Sequence, residues 1–161
     1  MIELVKMSKR ELETYLQFAI ENYANEKVKS GNWSEEDSIQ RSRESFADLL
    51  PNGVDTEDQF LFTIKDIDGG RNVGMIWVGW GKYGDQTSSP WIWDFLIYEQ
   101  YRGKGYGKEA LNALDEVLKE RGQKKVSLQV FGHNSIAINL YQKSGYKITN
   151  IVMSKELDND Q

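Results

Sequence analysis

Apolar positions along this chain first recur every three or four residues, then every two, then every three or four again. The change of period divides the sequence into elements. Ile2 to Val5 predicts a short first strand. Ser8 and Glu11 then form a capping-box signature, and Leu12, Leu16, Ala19, Ile20 and Tyr23 follow at helical spacing. A second helix is expected within "SGNWSEEDSIQRSRESFADLLPNG". There Ser34 and Asp37 repeat the cap pattern, and Pro51-Asn52-Gly53 stops the helix. Its apolar residues are only Ile39, Phe46, Leu49 and Leu50, which places it over a rim rather than in the core.

From Gln59 the period is two. Phe60, Phe62 and Ile64 alternate with Leu61, Thr63 and Lys65, and "DIDGGRN" is a hairpin turn. The return strand is "VGMIWVGWG". A polar loop, "KYGDQTSSP", leads to "WIWDFLIY", which is apolar on both sides and therefore a central strand. Next comes a glycine-rich stretch and an amphipathic helix, "KEALNALDEVLKERG", with Leu111, Leu114, Val117 and Leu118 on one face and Gly122 at its end. "KKVSLQV" is the next strand, so the crossover is parallel and right-handed. "NSIAINLYQKSGYK" reads as a short helix closed by Gly145, "ITNIVMSKEL" as a last strand, and "DNDQ" as a fraying tail. The fold class is α+β: a mixed, twisted sheet flanked by helices.

Composition narrows the function. The 161 residues suit one domain, and a net charge of -5 argues against a nucleic-acid partner. With no cysteine and one histidine, His133, no thiolate nucleophile or cysteine- or histidine-based metal site is expected. Charges in "MIELVKMSKRELE" stand where a signal peptide needs an apolar core, and no run is long enough to span a bilayer, so a cytoplasmic protein without a membrane partner is expected.

Against this acidic background, "YRGKGYGKEAL" gathers Arg102, Lys104 and Lys108 among three glycines at the start of a helix. A helix N-terminus already carries unpaired amides and partial positive charge, so lysines there call for an anion. Glycines let a ligand approach the backbone, and a polyphosphate would satisfy both features. The same residues also suit a plain surface turn. The G-x-x-x-x-G-K-[S/T] phosphate loop fails, because Arg102 takes the place of its first glycine and Glu109 follows Lys108. A dinucleotide fingerprint survives as Gly105-x-Gly107-x-x-Ala110, but the next strand ends in "VFGHN" without the acid that would hold a ribose.

The stretch "IYEQYRGKGYGKEAL" resembles motif A of the GNAT superfamily of N-acetyltransferases, R/Q-x-x-G-x-G/A, filled by Arg102, Gly105 and Gly107. Downstream, Asn134, Ala137, Leu140, Tyr141, Gly145 and Tyr146 are similar in order and spacing to the family's second motif. Glu99 departs from the proline common at its position, which affects only the turn. The resemblance implies acetyl-CoA as acyl donor, without a metal, and a small-molecule or peptide amine as acceptor. It implies that the amides of Gly103, Lys104, Gly105, Tyr106, Gly107 and Lys108, beside Arg102, hold the pyrophosphate. Phe95 to Ile97 would pair with the pantetheine arm, in a gap where two parallel strands splay. Asn134 would contact the cofactor or orient a water, and Tyr141 would face the thioester sulfur.

Acetyl transfer to an amine requires a proton acceptor, because a lysine-like amine is neutral in only about one molecule in a thousand at pH 7. Asp94, inside "WIWDFLIY", is the candidate, since burial would raise its pKa toward neutrality. It equally suits a structural role, holding the strand end. Tyr141 is the candidate general acid for the leaving thiolate, or else a core residue on the Ala137–Leu140–Tyr141 face. A backbone amide near Ile97 would meet the oxyanion. His133 is expected to cap the helix near Asn134, and Trp77, Trp80, Trp91 and Trp93 to pack the sheet or line an acceptor pocket. The acceptor surface is expected from the first two helices, their "NEKVKSGNW" connection and the segment after Gly145. The expected enzyme is an acetyl-CoA-dependent N-acetyltransferase, monomer or homodimer. A catalytically silent CoA-binding module and a nucleotide-dependent oxidoreductase remain as other readings.

Overall fold

A computed structural model describes residues 1–80 and 89–158. The polar loop expected between the third and fourth strands falls, through residue 88, outside the described residues, as do the last three residues of the tail. In chain order the elements are β1 (Ile2–Lys6), α1 (Lys9–Lys29), α2 (Ser38–Leu49), β2 (Gln59–Asp66), β3 (Arg71–Gly79), β4 (Trp91–Ile97), α3 (Tyr106–Glu120), β5 (Ser127–Leu128) and α4 (Ser135–Lys143). Single 3-10 turns precede β2 and α3. The sheet order is β1-β2-β3-β4-β5, with three antiparallel junctions and a parallel one between β4 and β5. This is the expected mixed α+β fold.

Each face of the sheet has its own core. Ile64, Val73, Ile76, Val78 and Ile92 pack against Ala110, Leu111, Leu114 and Leu118 of α3. On the other face, Leu61, Met75 and Trp77 pack against Leu12, Tyr15 and Ala19 of α1, with Phe46 and Leu49 of α2 beside them. Ser8 caps α1 as expected: its Oγ accepts from the Glu11 amide, and Glu11 Oε1 accepts from the Ser8 amide. Ser34 does not cap α2. It donates instead to Asp37 Oδ1, and the helix begins after Asp37. Nor does α2 merely lie over a rim. Ser42 Oγ donates to the Ile20 carbonyl at 2.6 Å, and the Phe46 ring stands 5.9 Å from that of Trp77.

Two further expectations fail. The strand expected from "KKVSLQV" shrinks to Ser127–Leu128, and Ile148–Leu157 forms no strand. Ile148, Ile151, Val152, Met153 and Leu157 are exposed. A strand exists only where a partner supplies its hydrogen bonds, and a two-residue β5 is too short to template another.

Candidate active site

The central feature is the strand β4. Its register against β3 pairs Trp77 with Asp94 but Val78 with Ile92, so Trp93 is an extra, unpaired residue: a β-bulge. Without it, Trp93 and Asp94 would face opposite sides. With it, both face α1: Asp94 meets Tyr15, and the Trp93 ring stands 6.1 Å from that of Trp77. Alternation then resumes, sending Phe95 to the α3 side, where its ring is 6.2 Å from that of Tyr141. Asp94 and Phe95 thus bring the two faces of the sheet to one point of the backbone.

On its other side β4 pairs with β5 only at Trp91↔Ser127 and Ile92↔Leu128. From Trp93 to Ile97 that edge has no strand partner among the described residues. The open edge includes Phe95 to Ile97, the stretch expected to receive the pantetheine arm. It runs directly into the glycine turn. Gly103 and Gly105 adopt φ of 75° and 87°, the left-handed region that glycine enters without strain. Gly105 is the N-cap of α3 and offers no side chain to its amides, whereas Ser8 and Asn134 cap α1 and α4. The first amides of α3 therefore have neither an intrahelical nor a side-chain acceptor. Arg102, Lys104 and Lys108 are exposed around them. The Arg102 Nε donates to the Ile97 carbonyl at 2.8 Å, binding the turn to the strand end. Tyr106 Oη donates to Asp66 Oδ2 at 2.8 Å, which fixes the first residue of α3 to the β2–β3 hairpin and leaves its backbone amide for other work.

Asp94 is held by two donors. Tyr15 Oη donates to Oδ2 in a short hydrogen bond, and the Phe95 amide donates to Oδ1 at 2.9 Å. Burial raises its pKa above the ordinary carboxylate value, against the pull of both hydrogen bonds. Burial also raises the Tyr15 and Tyr141 pKa values, with the Asp94 charge adding to each, so both phenols are donors at neutral pH. Beside Tyr141, the Tyr146 ring lies 5.6 Å away edge-on.

The cap of α4 is not the residue expected. Asn134 Oδ1 accepts from the Ala137 amide at 3.1 Å, so Asn134 caps α4 and His133 does not. His133 Nε2 meets Glu26 Oε2 in a short contact, and its ring stacks on Phe131 at 5.7 Å. That pair joins α1 to the connection before α4. Trp77 and Trp80 are core residues, and Trp77 Nε1 donates to Gln59 Oε1 at 2.7 Å. Trp91 and Trp93 are exposed. After Gly145, Tyr146 packs against the core, and residues 147–158 are exposed. An open groove of about 680 Å³ lies along the N-terminal half of α1, lined by Glu11, Tyr15, Phe18, Leu96, Tyr98 and Arg102 among others.

Sequence reasoning missed Tyr15. Its signal was there: Tyr15 shares a helical face with Leu12 and Ala19, two of the five residues whose periodicity predicts α1. The dinucleotide reading loses further ground, since among the described residues the sheet is antiparallel at three of its four junctions rather than mostly parallel.

The sequence matches the model of the "Acetyltransferase (GNAT) family" over residues 20–146, and the chain belongs to that family. It is 42% identical over 156 residues to the uncharacterized N-acetyltransferase YycN of Bacillus subtilis, covering 97% of this chain and 99% of that one. The crystal structure of YycN superposes with a TM-score of 0.91 at 41% identity, covering 99% and 100% of the two chains. More distantly, the PaiA N-acetyltransferase of Thermoplasma acidophilum, solved in complex with coenzyme A, shares the fold. Its TM-score is 0.67 at 21% identity, over 94% of this chain and 93% of that one. Among the described residues no helix is long and apolar enough to cross a membrane.

Proposed function

We propose that the protein transfers an acetyl group from acetyl-CoA to a primary amine by direct attack, without a covalent enzyme intermediate. The observation that carries this reading is the open β4 edge from Trp93 to Ile97, continuous with the uncapped N-terminus of α3. An extended arm ending in a diphosphate fits both parts at once. Strand-like hydrogen bonding takes the arm, and the amides of Gly103 to Lys108, with the charges of Arg102, Lys104 and Lys108, take the diphosphate. Open space around the Cα atoms of Gly103 and Gly105 agrees with that approach, since a Cβ built on either meets nothing within 4 Å. Bound there, acetyl-CoA supplies an activated thioester carbonyl.

The chain's own groups divide the proton work between the two faces. Asp94, on the α1 face, accepts the proton that the attacking amine loses as the C–N bond forms. Its raised pKa brings a carboxylate nearer to the amine it must deprotonate. Tyr141, on the α3 face, donates a proton to the thiolate as the C–S bond breaks. Backbone amides of the open edge stabilise the oxyanion between these events. The acceptor therefore approaches from the α1 side and the thiol leaves toward α4. Asn134, with Oδ1 spent on its cap, would touch the cofactor through Nδ2.

Thiol release from acetyl-CoA across a panel of primary amines tests the reading. Turnover that depends on the amine, and that falls at least tenfold in Tyr141→Phe with the acetyl-CoA KM unchanged, is the expected result. CoA binding without release for any amine would instead identify a silent CoA-binding module.

A further inference from the structure

Four tryptophans of this sheet fall into two groups. Trp77 and Trp80 are each 2% exposed, whereas Trp91 and Trp93 are 39% and 36% exposed. The outer pair are stacked, with ring centroids 6.4 Å apart and planes at 27°. Trp93 leans on Trp77 and stacks on Trp91, and keeps 36% of its surface in solvent. Leaving so much apolar ring in water is unfavourable, and a strand position can be filled by a smaller residue at no cost to the ladder. The bulge makes the placement specific. It sets Trp93 on the same face as Asp94 and next to it in the chain.

We propose that Trp93, with Trp91 beside it, is the surface that selects the acceptor. The acceptor is a primary amine carrying an aromatic ring, or a similarly flat apolar group, two or three bonds from its nitrogen. This rests on the acetyl-transfer reading given above. Adjacent Cα atoms are about 3.8 Å apart, so a ring lying on Trp93 leaves room for only a short link to a nitrogen at Asp94. An offset ring-on-ring contact is the geometry aromatic pairs favour, and the Trp91–Trp93 stack extends that platform along the strand.

The neighbouring charges disfavour a polycation. Beyond Trp77 the ring network continues through Phe46 and Tyr23 to Trp33. The faces of Trp33 are already occupied by this chain's own cations: Lys27 Nζ at 5.5 Å and the Arg41 guanidinium at 4.8 Å from the ring centroid. Glu26 of α1 is engaged by His133. A second ammonium on the acceptor would meet positive charge there. A single amine, discharged by Asp94 and anchored by a ring, does not reach as far as Trp33.

The test compares 2-phenylethylamine, n-butylamine and spermidine as acceptors, by thiol release and by calorimetric binding. Wild type should prefer 2-phenylethylamine in kcat/KM by at least tenfold. Trp93→Ala should lower that value about tenfold, lower n-butylamine turnover far less, and keep the wild-type Tm within a few degrees. Trp93→Phe should retain most of the preference, and Trp91→Ala should lose part of it. A Trp93→Ala loss equal for all three amines, no loss at all, or a wild-type preference for spermidine would overturn the inference. If wild type acetylates none of them, nor any amine of the wider panel, the transfer reading fails on its own. Calorimetry then still decides, because 2-phenylethylamine should bind wild type about tenfold more tightly than Trp93→Ala. Equal binding, or none to wild type, would overturn the proposal.

Discussion

Tyr15→Phe removes one hydroxyl and nothing else. In the native protein that hydroxyl donates to Asp94 Oδ2 from the buried face of α1. Hydrogen bonds to a charged group contribute about 1.5–3 kcal/mol net. A shift of one pKa unit corresponds to about 1.36 kcal/mol. The Tyr15 bond favours the ionised carboxylate, and burial opposes it. Deleting the donor leaves burial opposed only by the Phe95 amide, so the Asp94 pKa rises further. A base must be ionised to act, so the acidic limb of the kcat/KM profile should move to higher pH, by about one to two pH units if the full energy of the lost bond is expressed. The rate on the high-pH plateau should be changed far less, since the carboxylate is ionised there in both proteins. The assay is initial-rate thiol release from pH 5 to 9 at saturating acetyl-CoA. A limb that stays in place, or moves to lower pH, would refute the view that Asp94 is the titrating base and that Tyr15 tunes it.

Stability should carry the same signature. The native pKa of Asp94 lies above its unfolded value of about 3.9, so the folded state holds the extra proton. That contribution is fully present below about pH 4 and is lost as pH rises through the native pKa. Asp94→Asn removes the dependence, so the variant's Tm should gain on wild type between pH 4 and pH 8. A constant difference would contradict the assigned direction. Gly74→Ala should be severely destabilising, by more than about 2 kcal/mol in urea unfolding, because the new Cβ would stand 2.1 Å from the Leu96 carbonyl oxygen across the ladder. Gly105→Ala meets no such neighbour, but its φ of 87° costs a side-chain-bearing residue about 1–2 kcal/mol. The protein should fold with that loss and bind CoA about tenfold more weakly, with pantetheine affinity little changed. Equal weakening for both ligands would remove the diphosphate from the turn.

Local signals were legible wherever the physics is local. The capping box at Ser8 and the Leu111–Leu114–Leu118 stripe of α3 depend on residues within a turn or two, and both stand in the structure. The glycine turn was legible too, since positive φ at Gly103 and Gly105 is written in residue type. What escaped depends on partners distant in the chain. Nothing in "WIWDFLIY" announces a bulge, because the extra residue exists only relative to β3. Tyr15 gains meaning from Asp94, 79 positions away. For the same reason Ile148–Leu157, with the composition of a strand, is not one here. A pattern of side chains proposes a strand, and a neighbouring backbone has to accept it.

The bulge has a consequence for how this protein can change. A single unpaired residue inverts the inside–outside phase of β4 at one point. Deleting a residue anywhere between Trp91 and Phe95 would swing the carboxylate or the indole to the far side of the sheet. By contrast, replacing Trp93 alone leaves the phase untouched. Its identity is free to drift while Asp94 keeps its face, so a chain using both residues as proposed above could change its acceptor among descendants without moving its base.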